Sequence, residues 1–181
     1  TRMGLSLMTY GKAKSCYMKT CECPHVLACD DDQFQHFYYQ TLFSTSVDFD
    51  DEKSKASQIK YDFEFSGREL VNKYEKYHAC NCHKPFLAIT DYDMGADDIS
   101  GVATAKNLRE KGFQGPIILR TAEKIEEVAK AHPEIHSYLE SGVITHFLNK
   151  SEISKGKNLI KSYLSFIRNS IRPKESVRMT L

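Results

Sequence analysis

Residues 21–34 read CECPHVLACDDDQF, and the fold turns on how this stretch divides. Residues 25–29 (HVLAC) form a short apolar run without polar alternation, the pattern of a strand buried on both faces of a parallel sheet. Three acids, Asp30, Asp31 and Asp32, close the run, and two cysteines, Cys21 and Cys23, precede it. Runs of the same kind recur at residues 85–90 (PFLAIT), 115–119 (GPIIL) and 142–148 (GVITHFL), with a weaker edge strand at 59–63 (IKYDF).

Helical spacing fills the gaps between these runs. Residues 33–43 carry Phe34, Phe37, Tyr38 and Leu42, and residues 67–77 carry Leu70, Val71 and Tyr74. Residues 99–111 carry Val102, Ala103, Ala105 and Leu108 and stop at Gly112. A helix over 122–139 should be interrupted by Pro133, and the last, over 153–167, carries Leu159, Ile160, Tyr163, Leu164 and Ile167. Strand and helix alternate five times, which predicts an α/β fold: a doubly wound, five-stranded parallel sheet in the order 2-1-3-4-5, flavodoxin-like. Such a sheet binds ligands beyond the carboxyl ends of its strands.

The single domain is expected over residues 24–171. Residues 1–23 are an N-terminal extension or linker, 44–58 a polar insertion between the first helix and the second strand, and 172–181 a tail. A length of 181 residues with 41% hydrophobic content suits one domain. The formal net charge of +1 gives no reason to expect nucleic acid or a membrane surface as partner. No apolar run is long enough to span a bilayer and no secretory signal is evident, so a cytoplasmic segment is expected, one that could still belong to a membrane-tethered protein.

The acids at the carboxyl ends of the first and third strands, Asp30, Asp31, Asp32 and Asp91, Asp93, converge on one crevice if those strands are neighbours. Clustered carboxylates stay ionised beside a hard cation, for which Mg2+ is suited. Asp32, just before the first helix, is most simply its N-cap. Thr121 follows the fourth strand and Lys150 the fifth, supplying a hydroxyl and an ammonium for an anion. A carboxylate so placed can act as nucleophile toward a phosphoryl group.

These residues, in VLACDDD, ITDYDM, IILRTA and THFLNK, resemble the motifs of response-regulator receiver domains of two-component phosphorelays, over about residues 25–171. The resemblance implies that Asp91 is the phosphoacceptor, that Asp30, Asp31 and Asp91 hold Mg2+ with the backbone carbonyl of Asp93, and that Thr121 and Lys150 contact the phosphoryl oxygens. Phe147 matches the aromatic residue coupled to the switch threonine. The implied partner is a histidine kinase or a histidine phosphotransfer protein, with a phosphohistidine as donor. A signalling domain rather than a classical enzyme is implied, either free-standing or the terminal receiver of a hybrid kinase.

Departures from the pattern bear on its strength. Gly95 stands where proline is usual, the loop GADDISG is longer by about two residues, Ser151 replaces a proline whose loss leaves that turn less rigid, and Arg120 occupies an apolar position. The Arg120 guanidinium either snorkels to solvent, the reading preferred, or reaches the acid pocket. A pseudo-receiver that signals without phosphate is the alternative function. A phosphoaspartyl hydrolase would use the spacing of Asp30 and Asp32 but lacks its further motifs here. The tail after residue 171 carries no recognisable DNA-binding module, so direct output by transcription is not expected, and no Gly-rich ATP-binding stretch is seen in residues 1–181.

Cys21 and Cys23 precede the first strand, and Cys80 and Cys82 the third, so neighbouring strands would bring the two pairs to one edge. Four thiolates there, with His83 as a substitute, could hold a structural Zn2+. The tight Cys-x-Cys spacing leaves free thiols and a redox disulfide as the other readings.

Overall fold

Five strands pair in parallel in the order β2-β1-β3-β4-β5: β1 (Val26–Cys29), β2 (Tyr61–Glu64), β3 (Leu87–Asp91), β4 (Ile117–Thr121) and β5 (His146–Asn149). The computed structural model describes residues 24–44, 59–78 and 84–171. Every residue of β1, β3 and β4 is buried, which accounts for the absence of polar alternation in those runs. β2 lies at the edge and only Glu64 in it is buried. β5 starts later than the apolar pattern suggests, because Gly142 adopts φ 77° and belongs to a turn.

Among the described residues, six helices cover the sheet: α1 (Gln33–Ser44), α2 (Gly67–His78), α3 (Gly101–Glu110), α4 (Ile125–Ala131), α5 (Ile135–Glu140) and α6 (Ile153–Ile171). The stretch predicted as one helix interrupted at Pro133 is two, α4 and α5, on either side of that residue. Strand alternation divides the core. Val26, Ala28, Ile89 and Ile118 pack with Tyr39, Leu42 and Phe43 of α1 and Ile160, Leu164 and Ile167 of α6. Leu27, Cys29, Ala88, Ile117 and Leu119 face α2 to α5, where Leu70, Tyr74, Val102, Leu108, Val128 and Ile135 fill the other layer. Burial pushes the Cys29 thiol pKa up, so this cysteine is a neutral core residue.

The helix ends follow local chemistry. Asp32 caps α1, its Oδ1 accepting the Phe34 N–H at 2.8 Å, as the sequence predicts. Gly112, at φ 90°, ends α3 in a Schellman turn: Gly112 N–H donates to Arg109 O and Phe113 N–H to Leu108 O, each at 2.9 Å. Beyond that turn, at the end of the sheet away from the acids, the Arg109 guanidinium donates to the carbonyls of Phe113, Gly115, Gly142 and Val143.

The loop before α3 also serves a helix start. Asp98 Oδ2 accepts the Gly67 N–H at 2.6 Å, and Oδ1 accepts the Ile99 N–H at 2.7 Å, so one carboxylate ties this loop to the first turn of α2. Burial works against ionised Asp98, but the N–H groups of Ile99, Gly67 and Arg68 and the Ser66 hydroxyl outweigh it and hold its pKa below the ordinary value. Cys21, Cys23, Cys80 and Cys82, and with them the zinc expectation, lie outside the described residues, as do residues 1–23, 45–58 and 172–181. Among the described residues no helix is long and apolar enough to cross a membrane.

Candidate functional site

The pairing of β1 with β3 does what the strand order requires. Cys29 lies opposite Thr90, so the next residue on each strand, Asp30 and Asp91, opens onto the same crevice. One carboxylate oxygen from each of Asp30, Asp31 and Asp91 can be chosen so that all three lie within 4.8 Å of one another. Asp30 and Asp91 are buried, while Asp31 is exposed at the mouth. Lys150, carried by the turn after β5, places Nζ 2.9 Å from Asp30 Oδ2 and 2.9 Å from Asp91 Oδ2.

Burial governs the electrostatics. It raises the pKa of Asp30, and the hydrogen bond and charge of Lys150 only partly oppose it. Burial, with the charge of Asp30 adding to it, pushes Asp91 up to about 6, against the opposing pull of Lys150 and the Tyr92 N–H, which donates to Asp91 Oδ1 at 2.9 Å. Burial works against the Lys150 ammonium, but Asp91 and Asp30 more than compensate and lift its pKa. An all-oxygen donor set, half shielded and carrying more negative than positive charge, fits a hard divalent cation such as Mg2+.

Thr121 is buried at the end of β4, and its Oγ1 accepts the Glu123 N–H at 3.0 Å. Phe147 is partly buried against the α2-to-α5 core, opposite Leu119 of β4. It therefore shares the sheet face of Thr121. Asp93 is exposed, and its Oδ1 accepts the Gly95 N–H at 3.1 Å in a turn where Gly95 takes φ 79°. Of the predicted residues, Asp30, Asp31, Asp91 and Lys150 are thus drawn together, with Thr121 and Phe147 on the adjacent strands.

Arg120 corrects the preferred reading of its position. It does not reach solvent: it is 5% exposed and lies on the α1 side of the sheet. Nη1 donates to Gln35 Oε1 at 2.6 Å and to Tyr39 Oη at 3.3 Å, and the guanidinium carbon sits 4.5 Å from the centre of the Tyr38 ring and 5.6 Å from that of Tyr39. Aromatic faces accept the cation where water is excluded. The turn at Ser151 is also tied more firmly than the loss of a proline suggests. Ser151 donates both its N–H and its hydroxyl to Asn149 Oδ1, at 2.8 and 2.6 Å.

Asn149 is a site residue that the sequence did not reveal. Its Nδ2 donates to the carbonyls of Ala122 and Glu123, both at 3.0 Å, while its Oδ1 holds Ser151. One amide therefore joins the loop after Thr121 to the turn that carries Lys150. The signal lay in its place, directly before Lys150, but its partners are remote in sequence. Gly101 is equally positional. A Cβ there would overlap the Asp91 carbonyl and come within 2.8 Å of Leu119 Cδ1, so only glycine lets α3 begin against the end of β3.

No protein-family model matches the chain, and no curated protein matches it. Solved structures do. The signal receiver domain of an HD domain-containing protein from Pseudomonas fluorescens Pf-5 superposes with a TM-score of 0.56 at 12% identity, over 85% of this chain and 96% of that one. The signal receiver domain of a putative Luxo repressor protein from Vibrio parahaemolyticus gives 0.55 at 17% identity, over 82% and 92%. A CheY-like response regulator receiver domain protein from Methanospirillum hungatei JF-1 gives 0.55 at 13% identity, over 82% and 98%. With its 2-1-3-4-5 parallel sheet and helices on both faces, the chain has the fold of response-regulator receiver domains.

Proposed function

We propose that the chain is a phosphorelay receiver: it takes a phosphoryl group from a phosphohistidine onto Asp91 and uses the modification to signal. The observation that carries this reading is the pair of buried carboxylates, Asp30 and Asp91, sharing one ammonium, with Asp31 beside them at the mouth. In the transfer, a carboxylate oxygen of Asp91 forms the new P–O bond as the P–N bond to the donor imidazole breaks. Mg2+, when bound, would screen the charge of the incoming phosphoryl oxygens; Asp30, Asp31 and Asp91, with the Asp93 carbonyl, would hold it. Lys150 would exchange its contact with Asp91 for a phosphoryl oxygen, and Thr121 would turn its hydroxyl to another.

The donor is a histidine kinase or a histidine phosphotransfer protein. Phe34 and Phe37, 80% and 56% exposed on α1 beside the acids, offer apolar surface for it. The output would be a shift of the loop after Thr121, transmitted through Phe147 and through the Asn149 amide. Incubation with acetyl phosphate and MgCl2 tests the assignment by intact mass. One added phosphoryl group is expected, lost on Asp91→Asn and on chelation. Equal labelling of Asp91→Asn would overturn the site, and absence of labelling with intact fold would leave a phosphate-independent interaction module.

A further inference from the structure

Arg120 is not needed for any step above, yet a buried guanidinium is expensive unless something answers its charge. Among the described residues it makes no ion pair within 4.0 Å; its hydrogen bonds go to the neutral Gln35 and Tyr39. Its strand partner in the register is Asp91. Strand alternation puts Ala28 and Ile118 in one core layer, so Asp30 and Arg120, each two residues further on, share that face of the sheet. Burial works against the guanidinium charge, but Tyr39, Tyr38 and Asp30 outweigh it and hold the pKa above the ordinary arginine value. Arg120 in turn pulls against the raised pKa of Asp30.

We propose that Arg120 is a resident counter-cation of the acid pocket: fixed by α1, it offsets part of the Asp30 charge and so sets how tightly the pocket holds a divalent ion. The proposal rests on the receiver reading of the site. With three carboxylates and one ammonium the pocket would carry a formal charge of −2, which a divalent ion cancels; the guanidinium lowers that demand to −1. The anchoring explains why the charge persists there. Gln35 and Tyr39 fix the guanidinium, and the Tyr38 and Tyr39 rings stabilise the cation where water is excluded. Divalent affinity is thereby lower than the acids alone would give, and the pocket stays charge-compensated when no ion is bound.

The test is calorimetric titration of the full chain with MgCl2 at pH 8, repeated with MnCl2 by electron paramagnetic resonance. Coulomb's law for a double and a single charge in a medium between protein and water predicts that Arg120→Met and Arg120→Gln bind about tenfold more tightly than the parent. Arg120→Lys, which keeps the charge, should stay within about twofold, as should Gln35→Ala and Tyr39→Phe, which remove an anchor but not the cation. Arg120→Gln carries the test if Arg120→Met does not fold, and loss of the fold in both neutral variants would make Arg120 a structural core group and overturn the proposal. Equal or weaker binding by the neutral variants would overturn it while leaving the receiver reading intact, as would tenfold tightening in Gln35→Ala or Tyr39→Phe. A parent protein that binds neither ion would overturn the receiver reading itself, and this inference with it.

Discussion

Replacing Asp91 by asparagine should stabilise the protein when no divalent ion is present. The carboxyl has a pKa of about 6 in the folded chain against an ordinary 3.8, because it is buried beside Asp30. Between those two values the folded state holds a proton that the unfolded chain has released, so stability falls as pH rises through the window. At about 1.4 kcal/mol per pH unit, the ionised carboxylate costs about 3 kcal/mol by pH 8. Asparagine keeps the shape without the charge, and Lys150 keeps Asp30 as its partner. Urea denaturation followed by far-UV circular dichroism in EDTA should therefore show Asp91→Asn more stable by about 3 kcal/mol at pH 8, a rise in Tm of roughly 6–12 °C for a chain of this size. The gain should shrink to near zero by about pH 4, where both side chains are neutral, and MgCl2 should narrow it by stabilising the parent more than the variant. A variant no more stable than the parent at pH 8, or a difference that does not change with pH, would refute the account of Asp91 as a carboxylate ionised against its surroundings.

Lys150→Met should act in the opposite sense at pH 8, since it leaves two buried carboxylates without their ammonium; a loss of about 3 kcal/mol is expected in the same urea titration, with Asp91 titrating above its present value in carboxyl 13C spectra. Gly101→Ala should lower Tm through the overlap with the Asp91 carbonyl, at a cost of about 1–3 kcal/mol, and should weaken MgCl2 binding because relief of the overlap displaces the end of β3. Asp32→Ala should cost about 1 kcal/mol by removing the cap of α1, with MgCl2 affinity changed less than twofold in calorimetry; a large loss of affinity would make Asp32 a ligand rather than a cap.

The sheet and its acids were legible because each lies where local pattern and topology coincide. Asp30 and Asp91 directly follow buried apolar runs, and the strand order alone puts them side by side. The Asp32 cap was legible for a similar reason: the groups that make it lie two residues apart. Arg120 was misread because a charged residue in a strand ordinarily looks outward, and the cage that holds it inward comes from α1, more than eighty residues earlier in the chain. Asn149 and Asp98 share that difficulty. Each satisfies backbone groups about thirty residues away, and short-range sequence pattern carries no trace of such partners.

The guanidinium of Arg109 bears on which connections of this fold can change length. It answers carbonyls from two separate connections, residues 113 and 115 after α3 and residues 142 and 143 before β5. An inserted residue in either would pull a carbonyl off a shared donor, and the other connection would lose its reference point at the same time. The two spans are locked as a pair, so neither can change length without disturbing the other.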